Sequence, residues 1–226
     1  MASHSLDVLT SLAPEVPAVL AELAERWAAD AVPALPRPAS SVVLCRDGAE
    51  GLETYLLHRH ARMAFAASMV VFPGGGVDPV DRDAADPWRA CAVRETSEET
   101  GVVLQADDLV PWAHWITPVQ QPIRYDTRFY LAGLPEGQQA GDLSTETENA
   151  AWTHPAAALA AYESGTLAMM PPTVSILLEL AAVRAVSDVL ALGQDRVVAT
   201  VLPEVIRTGS GWTYRYPSRD PSRGER

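Results

Sequence analysis

The run Pro73-Gly74-Gly75-Gly76, directly behind the strand-like run 68–72, constrains the fold more than any other part of the chain. Three successive glycines after a strand mean a sharp turn or a backbone that another group approaches closely. A polar loop follows, then Asp86-Pro87, an N-cap residue with proline at the first helical position. The pattern predicts a helix over 88–100 that stops at Gly101. Glu95, Glu98 and Glu99 then stand at i, i+3 and i+4 and project from one flank within about one turn. Three clustered carboxylates repel one another, so this helix needs a cation beside it. Hard divalent ions such as Mg2+ or Mn2+ take oxygen ligands of this kind. Arg94 precedes the first carboxylate and is placed to hold one of them by a bidentate pair. A Glu-rich helix alone is more often a solvated face. The arginine before it, the glycine after it and the triple glycine ahead set this one apart.

The flanking pattern is mixed. Residues 41–45, a turn over 47–51 and residues 54–57 read as a hairpin. Further strands are expected over 111–116, 127–132, 150–153 and 196–202, and helices over 14–30, 155–162 and 173–192. Pro33, Pro36 and Pro38 make 31–40 an extended connector. This order predicts an α+β domain with helices over a mixed sheet rather than a doubly wound one. The division expected is 1–38 for the first helix and connector, 39–205 for the main domain and 206–226 for a mobile tail. The helices over 14–30 and 173–192 either pack on the core or pair in a homodimer.

The charge balance narrows the partners. Twenty-nine acidic residues face 17 basic ones, all arginine, for a net charge of −12 over 226 residues. That surface disfavours nucleic acid and anionic membranes. The absence of lysine excludes Schiff-base and Walker-type lysine chemistry. Cys45 and Cys91 suggest a reducing compartment and read as small buried hydrophobes. There is no secretory pattern and no uncharged stretch of membrane-spanning length, so a cytoplasmic address is expected. His58 and His60 flank Arg59 without zinc-like spacing, and His114 and His154 stand isolated.

PGGGV and RETSEETGV together resemble the Nudix box, written as glycine, five residues, Glu, seven residues, then REUXEEXGU with U aliphatic. Arg94, Glu95, Glu98, Glu99, Gly101 and Val102 match its second half, and Thr96 stands at a U position. The first half departs. Counting back from Arg94 puts Val80 where the box has glycine; counting forward from Gly75 puts Asp81 at its acidic position, with five extra residues before Arg94. The first acidic group is therefore Asp81 or Asp86. The resemblance implies an α/β/α sandwich with a mixed sheet and a catalytic helix, and metal-dependent hydrolysis of a diphosphate linked to another moiety. It implies Glu98 and Glu99 as Mg2+ or Mn2+ ligands, Glu95 as ligand and candidate base, and a carbonyl ligand at Gly75 or Gly76. Glu146 and Glu148 are either the extra acid that many relatives supply after the box or plain loop charges.

Residues 57–63, Phe65 and residues 69–75 resemble the stretch ahead of the box in coenzyme A and acyl-coenzyme A diphosphatases. Residues 114–118, 124–130, Trp152 with Pro155, and 170–173 resemble the same branch, which tolerates a lengthened loop before the helix. Ala66-Ala67-Ser68 stand where its signature commonly carries glycine. The resemblance covers roughly 39–185. It implies cleavage to 3′,5′-ADP and an (acyl-)phosphopantetheine. On so acidic a chain, Arg59, Arg62, Arg124 and Arg128 are the candidate phosphate partners, since arginine grips phosphate bidentately. Trp112, Trp115 and Tyr125 are candidates to stack on adenine or simply to pack. The same machinery would serve ADP-ribose, NADH, a nucleotide sugar or a damaged nucleoside triphosphate. A non-catalytic sensing module fits less well, because such modules commonly lose a box carboxylate.

Overall fold

The computed structural model describes residues 2–12, 16–28, 30–60, 68–143, 147–209 and 211–219. In chain order these form α1 (Ala2–Leu12), α2 (Ala18–Glu25), β1 (Arg37–Gly48), β2 (Gly51–Arg59), β3 (Val70–Val71), β4 (Gly74–Gly76), α3 (Pro87–Thr100), β5 (Val110–Ile116) and β6 (Tyr125–Gly133). There follow β7 (Thr147–Thr153), α4 (Pro155–Glu163), α5 (Pro171–Leu180), α6 (Val186–Gln194), β8 (Thr200–Val201), β9 (Glu204–Thr208), β10 (Gly211–Arg215) and β11 (Ser218–Arg219).

β1 organises the sheet. It forms the expected hairpin with β2, with Gly48 opposite Gly51, and runs parallel to β6 from Arg37↔Tyr125 to Cys45↔Gly133. At its other end Ala39, Ser40 and Ser41 leave β2 and pair antiparallel with Gly76, Gly75 and Gly74. The sheet order is β11-β8-β5-β6-β1-β2-β3, with β4 on β1 and β7 on β2. Parallel and antiparallel pairs therefore mix, as expected.

Both faces of β1 are buried. Val42 and Leu44 point to α3 with Tyr55, Leu57, Tyr130 and Ala132. Val43 and Cys45 point the other way, with Leu52, Leu56, Phe129 and Leu131, against α1, α4, α5 and α6. This is the three-layer α/β/α arrangement. Both cysteines are fully buried and unpaired. Among the described residues no helix is long and apolar enough to cross a membrane.

Four expectations change. The helix expected over 173–192 is two helices, α5 and α6, separated at 181–185. Its apolar pattern is unbroken there; tertiary contact interrupts it. Leu180 O accepts from Val183 N–H, and the Asp47 carboxylate at the tip of the β1–β2 hairpin accepts from Val186 N–H at 2.8 Å and starts α6. The helix expected over 14–30 is described as α2, and α1, which periodicity did not single out, buries Leu6 and Leu9. The strand expected over 196–202 shrinks to β8. The tail expected to be mobile carries part of β9 and all of β10 and β11. The β9–β10 hairpin covers Leu20 and Ala24 of α2, and Tyr216 is buried edge-on against Trp115. A few aromatic residues supply the apolar area that a count of aliphatic residues misses.

Ser68 is the only residue other than glycine at positive φ among those described, at 57°. A side chain in that conformation costs about 1 kcal/mol or more. Ser68→Gly is therefore expected to stabilise the fold by about 1 kcal/mol, raising Tm by about 2–4 °C. A melting curve checks it; an unchanged or lowered Tm would mean Ser68 is not strained.

Candidate functional site

α3 begins and ends where its sequence says. The Asp86 carboxylate accepts from Trp88 N–H (3.0 Å) and Arg89 N–H (3.2 Å), and Gly101 takes φ 74°. Ala92 and Thr96 face the sheet and are fully buried. Thr96 tolerates its aliphatic-type position because its hydroxyl donates to Ala92 O at 2.7 Å.

Opposite α3 lies the glycine turn. Pro73 O accepts from Val42 N–H (2.8 Å) and from Ser41 Oγ (2.9 Å), which fixes the turn against β1. A Cβ on Gly74 would lie 2.3 Å from Ser40 O, and one on Gly75 would lie 2.3 Å from Glu95 Oε1. These two glycines allow a carboxylate-bearing helix and a strand to meet with no side chain between them.

Arg94 commits every N–H of its guanidinium. Nε and Nη2 donate to the two Asp81 oxygens at 3.0 and 2.8 Å. Nη2 also donates to Gly76 O at 3.1 Å. Nη1 donates to Glu95 Oε1 at 2.9 Å and to Glu98 Oε2 at 3.0 Å. Asp81 is 3% exposed, and its bonds to Arg94, aided by Asp78 N–H, hold its carboxyl below the usual carboxylate range against the opposing effect of burial. Asp81 in turn, with Glu95, pushes Arg94 up against the opposing effect of burial. Glu95 shifts the other way: burial raises it, with the charges of Glu98 and Asp78 adding, and Arg94 only partly offsets them. A carboxylate so raised is a better proton acceptor near neutral pH. Glu99 is buried, and its Oε2 accepts from Gly74 N–H at 2.8 Å. Burial pushes the Cys91 thiol up to about 12, so it stays protonated.

The structure thus separates the two acidic residues that the sequence left open. Asp81 meets Arg94, and Asp86 caps α3. The extra residues, 82–86, form the end of a short 3₁₀ turn and the approach to the helix. The G-x5-D spacing from Gly75 was the signal that pointed to Asp81.

The donors on α3 suit a hard cation, being carboxylate oxygens with a glycine carbonyl opposite. Among the described residues no three acidic, histidine or cysteine side chains already converge as a metal cage. Glu95 and Glu98 share Arg94 Nη1, and Glu99 holds Gly74. Glu98 is 59% exposed on its side chain, the most open of the residues bound to Arg94 apart from Asp78.

The arginines are not brought together. Arg59 ends β2, where its N–H donates to Met69 O. Arg62 lies outside the described residues, as does Glu146. Arg124 is turned inward: Nε donates to Thr117 O (3.0 Å) and Nη1 to Ala34 O (2.6 Å), tying the connector to the β5–β6 loop. Arg128 stacks 3.8 Å over the Trp88 ring at the start of α3. Trp112 and Trp115 are buried in the cluster on the face away from α3, so packing is their role. Glu148 meets His60 Nδ1 at 3.2 Å. His114 is not isolated; it joins Asp126 (2.5 Å) and Thr200 (2.8 Å), partners too far along the chain to be read from spacing.

The chain is similar to known proteins in sequence and in fold. The NUDIX domain family model matches residues 35–171. A Caenorhabditis elegans protein described as nudix hydrolase 7 is 30% identical over 185 residues, covering 66% of this chain; the chain spans 61% of that protein's length. The crystal structure of a NUDIX hydrolase from Alicyclobacillus acidocaldarius superposes with a TM-score of 0.61 at 26% identity, over 70% of this chain and 96% of the other. The NUDIX domain of Shewanella oneidensis NrtR, solved with ADP ribose, shares the fold with a TM-score of 0.50 at 15% identity, over 70% and 94% of the two chains.

Proposed function

The chain belongs to the NUDIX domain family, and from that membership we propose that it is a hydrolase of phosphorus-containing anhydrides. Its proposed substrate is coenzyme A or an acyl-coenzyme A, cleaved at the diphosphate to 3′,5′-ADP and (acyl-)phosphopantetheine. The observation that carries the hydrolase reading is the Arg94 hub, which brings Asp81, Glu95 and Glu98 to one guanidinium beside Gly75. The observation that favours coenzyme A is the left-handed, glycine-type backbone at Ser68, which closes the Ala66-Ala67-Ser68 stretch where that branch commonly carries a glycine.

Mg2+ or Mn2+, when bound, would neutralise phosphate charge and polarise the P–O bond. Glu98 and Glu99, with the Gly75 carbonyl, would hold it. Glu95 accepts the proton of the attacking water at a carboxylate that burial has made more basic. Arg94 keeps that carboxylate aimed, and Asp81 keeps Arg94 in place. Arg59, Arg62 and Arg128 remain the candidates for the outer phosphates; Arg124 serves the scaffold.

The test is a substrate panel with purified protein in Mg2+ and in Mn2+: coenzyme A, acetyl- and longer acyl-coenzyme A, ADP-ribose, NADH, UDP-glucose and 8-oxo-dGTP, with products identified by mass. Release of 3′,5′-ADP, faster than any other product and lost on chelation, is the expected result. Preferred turnover of ADP-ribose or a nucleotide sugar would keep the metal helix and overturn the coenzyme A assignment.

A further inference from the structure

Behind the glycine turn lies a thiol that the reaction as described leaves unused. Cys91 sits one helical turn before Glu95 and is fully buried. Its Sγ donates toward two successive carbonyls, Gly75 O at 3.5 Å and Gly76 O at 3.3 Å, and accepts from Arg94 Nη2 at 3.8 Å. In a regular strand successive carbonyls alternate sides. Two that share one donor mark a departure that glycine backbone tolerates. Gly76 O has a second donor in Arg94 Nη2. A Cβ on Gly75 would lie 2.3 Å from Glu95 Oε1, so the Gly75 backbone also abuts that carboxylate. The Gly75 peptide is therefore held between a thiol and a carboxylate.

We infer that Cys91 is a positioning residue: its S–H orients the Gly75 carbonyl so that this oxygen joins the α3 carboxylates around a divalent ion. A carbonyl oxygen has two lone pairs, so the bond to the thiol leaves one for the cation. The inference rests on the metal-helix reading above. It also goes beyond it, because a side chain that only fills space would serve as well without a donor.

Three substitutions separate donor from volume. Cys91→Ser keeps a donor, Cys91→Val keeps bulk without one, and Cys91→Ala keeps neither. Mn2+ binding to the full chain is followed by the EPR signal of free Mn2+, beside each variant's Tm. The Val and Ala variants are expected to bind Mn2+ about three- to tenfold more weakly, the scale of one modest hydrogen bond. The Ser variant is expected to stay within about twofold of wild type even where its Tm falls. Mn2+ affinity that simply follows Tm, or that is the same in all four proteins, would overturn the positioning role. A wild type that binds no Mn2+ would overturn the metal-helix reading itself, and this inference with it.

Discussion

Glu98→Gln is expected to lower kcat by about a hundredfold or more in saturating Mg2+ while leaving Tm within about 2 °C of wild type. The two halves have separate causes. Glu98 is 59% exposed, and its bond to Arg94 Nη1 is an exposed i,i+4 pair, of a kind that contributes little to stability. Gln also keeps an oxygen for that N–H. What it loses is the negative charge, which a hard cation needs and a phosphate-bearing site cannot replace. Steady-state rates on the preferred substrate and a thermal melt measure both halves on one preparation. Turnover close to wild type would remove Glu98 from the machinery. A large fall in Tm would instead make it a structural residue.

Glu99 is the instructive contrast. It sits beside Glu98 in sequence and reads as the same kind of residue, yet it is buried and accepts from Gly74 N–H. No periodicity distinguishes the two. Helical spacing puts both on one flank, but which one turns to the glycine backbone depends on where β4 lies, and β4 is placed by Ser41 and Val42 of β1. What was legible was what short-range chemistry decides. Asp86, Pro87 and Gly101 bracket α3 because caps act over two or three residues. The β1–β2 hairpin was legible because a short turn sequence stands between two strand-like apolar runs. What was not legible depended on distant chain. The break between α5 and α6 comes from Asp47, far back in the hairpin. The ordering of 211–216 comes from α2 and Trp115. The pairing of His114 with Asp126 and Thr200 needs β6 and β8 on either side of β5. The choice of Asp81 over Asp86 needed only to know which acid was already spent as a cap.

Asp81→Asn should produce the largest loss of stability among the site residues. Asp81 is 3% exposed and Arg94 19% exposed on its side chain, and they are joined by two parallel hydrogen bonds. Asn offers one acceptor and turns an N–H2 toward a guanidinium that can only donate. Breaking one side of such a pair costs about 3 kcal/mol, or about 6–12 °C in Tm for a chain of this size. Activity should fall as well, because Arg94 loses the anchor that aims Glu95. The pH dependence shows whether charge is the cause. Arg94 holds the Asp81 carboxyl below its usual range, so the folded state binds its proton less readily than the unfolded chain. Its contribution is then fully present above the unfolded value of about 4 and is lost as pH falls through the lower folded value. Urea unfolding of both proteins should show a constant gap from pH 7 to about 5 that narrows below about 4. A gap that persisted undiminished into strong acid would mean that Asp81 holds Arg94 by shape and hydrogen-bond count rather than by charge. The rest of the hub, built on the same guanidinium, would then be expected to tolerate neutral substitutes as well.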